Sequence, residues 1–92
     1  MTKVLVIAQV KDAAKWEASF RTHGELFRGY SVSKPVSYGM TGGNYVGTCF
    51  EAEDLAVFMK SMADPATAAA MEVDGILRET VKVIVLDKEL KL

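Results

Sequence analysis

The chain has 92 residues, half of them hydrophobic, and a formal net charge of −1 from 11 basic and 12 acidic residues. That length makes one domain, 1–92, which as a monomer buries only about 60% of the surface its unfolded chain exposes. No basic run neutralises phosphates, which argues against nucleic acid. One cysteine excludes an internal disulfide and a cysteine-based zinc site, and a single histidine excludes the usual multi-histidine metal site within one subunit.

Residues 3–10, KVLVIAQV, are β-branched and almost continuously apolar, which predicts a central strand rather than a leader or a membrane span. Val4, Val6, Ala8 and Val10 point one way, and Leu5, Ile7 and Gln9 the other. Asp12 is placed to cap a helix that runs to about Arg28 and stops at Gly29, a C′ candidate. Gly24 inside it marks close packing or a bend. On that helix Trp16, Phe20, His23, Phe27 and Tyr30 fall within roughly 40° of one direction. Four aromatics and the only histidine thus share a face.

Residues 31–40 alternate as a strand, and Pro35 confines it to an edge or a bulge. Residues 41–44, TGGN, are a turn, so a hairpin to a return strand at 45–52 is expected. Glu53 and Asp54 open a helix whose buried stripe is Leu55, Phe58, Met59 and Met62. Asp64-Pro65 restarts a helix that ends at Gly75. Residues 79–87 are the last strand. The order βαββαβ defines an α+β, ferredoxin-like antiparallel sheet with its helices on one face. The other sheet face is also apolar, through Leu5, Ile7, Ile84 and Leu86 or their alternates, and a second copy of the chain is its simplest cover.

The chain resembles the dimeric α/β-barrel superfamily, which includes the antibiotic-biosynthesis-monooxygenase-like and stress-responsive barrel proteins. The resemblance rests on Asp12-x-x-Lys15-Trp16-x-x-x-Phe20-x-x-His23, on Phe50-Glu51-Ala52-Glu53-Asp54-Leu55, and on Ala63-Asp64-Pro65 with Ala70-Met71 and Gly75. It implies a homodimer whose two sheets close a barrel, and a pocket in each subunit between sheet and helices. Members of this group include cofactor-free oxygenases and cyclases. The haem-degrading pattern fits poorly: the first strand offers Gln9 instead of Asn, and residues 53–75 hold neither Trp nor His.

His23 is the candidate base. A buried imidazole is held neutral and can deprotonate a phenol or the α-carbon of a ketone. Tyr38 is the candidate oxygen-binding partner. Gln9, Trp16, Phe20, Phe27, Tyr45 and Met62 are the candidate pocket lining. Cys49 reads as a small buried hydrophobe. The residues leave two functions open. One is a cytoplasmic, cofactor-independent monooxygenase, cyclase or isomerase acting on a small apolar or aromatic molecule. The other is a non-catalytic ligand-binding or structural homodimer.

Overall fold

In the computed structural model, which describes all of residues 1–92, β1 (Thr2–Gln9) lies inside a four-stranded antiparallel sheet. The strand order is β2-β3-β1-β4, with β2 at Ser37–Met40, β3 at Tyr45–Ala52 and β4 at Lys82–Leu86. Val4 sits opposite Phe50 of β3 and Val85 of β4. This parity turns Val4, Ala8, Val46, Phe50 and Ala52 toward the helices, where they are buried with Trp16, Phe20 and Phe58. Both long connections pack on this face, which is the ferredoxin-like arrangement.

The first helical segment is two helices, not one. Asp12 caps α1 (Ala13–Phe20), its side chain accepting from the Lys15 amide at 3.1 Å. The chain then tightens: Thr22 N–H donates to Ser19 O, His23 N–H donates to Phe20 O, and the Thr22 hydroxyl also takes Ser19 O at 2.6 Å. Helical bonding resumes in α2 (Gly24–Arg28). An added Cβ at Gly24 would meet nothing within 4 Å, so this glycine marks the bend and not close packing.

The stop after α2 also differs from expectation. Gly29 keeps right-handed helical angles, and Ser31 takes the left-handed position at φ 68°. Ser31 N–H donates to Arg28 O and Val32 N–H to Phe27 O, a Schellman closure two residues beyond Gly29. A left-handed serine is held there because its carbonyl accepts the Glu53 amide and its hydroxyl accepts the Asp54 amide. Together with Pro35, this shortens the strand expected at 31–40. Only residues 37–40 form β2, and Val32 makes a single bridge to Ala52.

The rest follows local chemistry. The 41–44 turn closes the β2–β3 hairpin with Asn44 at φ 61°. Asp54 caps α3 (Leu55–Met62) and Asp64 caps α4 (Pro65–Val73). Phe58 is fully buried, but Met59, placed on the buried stripe by its spacing, is 39% exposed. The strand expected from residue 79 starts at Lys82. Residues 78–80 are a single 3₁₀ turn, held because the Thr80 hydroxyl donates to Leu77 O and accepts the Gln9 amide.

Candidate functional site

The aromatic row survives the break in the helix. Trp16 and Phe20 stack at 4.7 Å, Phe20 and Phe27 lie 5.3 Å apart, and Phe27 meets Tyr30 edge-on at 5.9 Å. Because the break tightens the turn without shifting the row's phase, His23 stays beside it, with its ring 6.0 Å from Phe27.

Between this row, the sheet and α4 lies a cavity of about 70 Å³. Val6, Ala8, Val46, Thr48 and Phe50 form its floor. Trp16, Phe20, Leu26 and Phe27 cover one side, and Met62, Ala70, Met71 and Ile76 the other. Its polar lining is His23, Asp74, Thr48, Thr67 and the hydroxyl of Tyr30.

His23 and Asp74 meet at the edge of this space. Asp74 follows α4, and its Oδ2 lies 2.8 Å from His23 Nε2, while its Oδ1 accepts the Ser19 hydroxyl. The Asp74 side chain is 6% exposed and that of His23 21%. An acid at a helix C-terminus faces the negative end of the helix dipole, and α4 has no basic residue in its last turn. What offsets this is the pair of donors from the α1–α2 region, Ser19 and His23.

A second polar chain lies deeper. Thr67 donates its hydroxyl to Ser61 O at 2.6 Å and so accepts from the Tyr30 hydroxyl. The Tyr30 proton is therefore committed to tying α2 to the α3–α4 junction.

The sequence-selected residues divide between the two faces of the sheet. His23, Trp16, Phe20, Phe27 and Met62 converge on the cavity. Gln9 and Tyr45 do not: they pair with each other across β1 and β3 on the opposite face, since their neighbours Ala8 and Val46 point inward. Tyr38 does not line the cavity either. Its ring stands edge-on behind Trp16 and Phe20, and its hydroxyl donates to Glu17 at 2.6 Å and accepts from Arg21 at 3.2 Å. Cys49 shares the outer face with Leu5, so the sheet separates it from His23. Ser19, Thr67 and Asp74 were not singled out by sequence, and Met71 only as part of the resemblance and not as pocket lining. Asp74 carried a signal, an acid at the wrong end of its helix.

With this geometry in place, the chain can be set beside known proteins. No family model and no curated protein matches it by sequence. Its fold, however, is the ferredoxin-like fold of the antibiotic-biosynthesis-monooxygenase-like proteins. An antibiotic biosynthesis monooxygenase superposes with a TM-score of 0.68 at 16% identity, covering 98% of this chain and all of that one. SnoaB, a cofactor-independent oxygenase from Streptomyces nogalater, gives 0.69 at 16% identity, over 99% of this chain and 95% of that one. A Mycobacterium tuberculosis protein gives 0.65 at 14% identity, over 98% and 96%. No helix of the chain is long and apolar enough to cross a membrane.

Thr67→Val keeps the side-chain shape and removes both of its hydrogen bonds, leaving Tyr30 and Ser61 O short of a partner. The expected cost is about 1–3 kcal/mol, read as a lower urea midpoint at unchanged slope.

Proposed function

We propose that the cavity takes a small apolar or aromatic molecule and that His23 is the general base acting on it without a cofactor. The observation that carries this reading is the His23–Asp74 contact at the edge of a mostly apolar space. An ionised carboxylate can only accept, so the proton between the two sits on Nε2. Nδ1 is then the ring nitrogen with a free lone pair, able to take a proton from an acidic phenol or C–H. Asp74 holds the ring in place and balances the imidazolium that forms. The fold is shared with a cofactor-independent oxygenase, which supports this chemistry by analogy, since a fold does not determine a reaction.

The volume sets a condition on the reading. About 70 Å³ is well below the roughly 300–1,000 Å³ of most ligand pockets. Met62 and Met71, flexible and unbranched, are the lining residues best able to yield. The same small volume favours a second reading, a non-catalytic barrel closed by its own side chains.

An anthrone is a suitable probe because its benzylic CH₂ is acidic. Deprotonation gives a carbanion that dioxygen oxidises; the CH₂ becomes C=O, and the second oxygen atom leaves as water. The protein is expected to accelerate oxygen uptake, and His23→Ala to lose about a hundredfold or more of that rate while remaining folded. Equal rates for the two would remove His23 from the mechanism. No acceleration by the parent protein would favour the non-catalytic reading.

We also propose that the molecule is a homodimer whose two sheets face each other across Leu5, Ile7, Ile84 and Leu86. Ile84 and Leu86 are 43% and 44% exposed on this face. The unpaired Cys49 is in keeping with a reducing, cytoplasmic setting. Sedimentation at micromolar concentration should give a dimer, and Ile84→Lys with Leu86→Lys a monomer. A monomeric parent chain would refute the assignment.

A further inference from the structure

Phe20 and Phe27 border a second space on their other side. It is a cleft of about 490 Å³, inside the roughly 300–1,000 Å³ range of ligand sites that the inner cavity falls short of. Its walls come from the α1–α2 bend, α2 and the loop at 32–36. Its apolar floor includes Phe20, Phe27, Val36 and Tyr38.

Three of its lining side chains, Arg21, Arg28 and Lys34, are cations, and none is Asp or Glu. Carboxylates bond lining residues from outside the cleft: Glu17 accepts from Tyr38, Glu53 accepts from Ser33, and Glu25 pairs with Arg28. Lys34 has no ion-pair partner. Arg21 is engaged through one nitrogen with the Tyr38 hydroxyl. Arg28 pairs with Glu25 one helical turn back, both side chains largely exposed, and such pairs are weak enough for a ligand to displace. Gly24 lines the wall, and a Cβ added there would meet nothing within 4 Å.

We propose that this cleft binds the carboxylate of an amphipathic aromatic ligand, with the ligand's apolar body lying on Phe20 and Phe27 toward the inner cavity. The second half of this statement rests on the function proposed above; the first does not. The charge has to stay outside, because in the inner cavity it would face the carboxylate of Asp74. Arginine matches a carboxylate with a planar fork of donors, and aromatic rings pack on phenylalanine with offset or edge-on geometry.

The test is a titration with 2-naphthoate and with its neutral counterpart 2-naphthamide, followed by NMR shifts of the backbone amides and methionine methyls. Naphthoate is expected to bind about tenfold or more tighter than the amide, with the advantage shrinking as salt screens the charges. The combined Arg21→Gln, Arg28→Gln and Lys34→Gln variant should bring the two ligands to within about twofold. Lys34→Gln alone, which disturbs no internal contact, should reduce the preference partway. Gly24→Leu should weaken both ligands by filling the cleft. Equal affinities in the parent protein, or a preference that survives the triple variant, overturn the proposal. Met62 and Met71 methyls report separately on the inner cavity. Charge-dependent naphthoate binding with those methyls unmoved upholds the cleft and removes the cavity reading. Equal binding of both ligands with those methyls shifted does the reverse, and no binding of either overturns both.

Discussion

The contact between His23 and Asp74 joins the α1–α2 break to the end of α4, next to the backbone bonds that tie Lys11 to Gly75 and Val10 to Ile76. Its partners are 51 residues apart, one at the break between α1 and α2, the other just past α4. Asp74 is nearly buried and faces the unfavourable end of its own helix dipole, so it depends on Ser19 and His23 for satisfaction. His23 in turn is carried to that point by a turn too tight to be α-helical. Remove the imidazole and a buried carboxylate loses one of its two donors.

The aromatic row plays two parts along its length. Toward the sheet it is core: Trp16, Phe20, Phe50 and Phe58 are buried, and Phe27 links the first pair to the second through contacts with Phe20 and Phe50. Toward the α1–α2 bend it becomes a partition, with Phe20 and Phe27 between the small inner cavity and the cationic cleft. The acidic and basic features of the site thereby fall on different sides of one pair of rings. Under the function and cleft proposed above, that separation is what orients the ligand.

Much of the fold was legible because its signals are local. Asp12 and Asp64 cap the helices that follow them, Asp54 opens α3, and the return strand expected at 45–52 matches β3 end to end. The break at Thr22–His23 was hidden because the aromatic spacing continues in phase across it. Gly24 was its visible mark. Ser31 could not be foreseen as the left-handed residue, since its stability comes from the amides of Glu53 and Asp54, more than twenty residues away. Within the site, the converging apolar residues followed from helical periodicity. Gln9 and Tyr45 were assigned by residue type, but strand parity places them on the far face. Asp74 was reachable only as an anomaly of helix electrostatics, because its partner is distant in sequence.

The tautomer of His23 is the property on which this account depends. Long-range ¹H–¹⁵N correlation at a pH where the ring is neutral reads the two nitrogens separately. The account predicts a protonated Nε2 and a bare Nδ1, with that bias weakened in Asp74→Asn. A neutral His23 protonated on Nδ1, or an even mixture of tautomers in the parent protein, would contradict it.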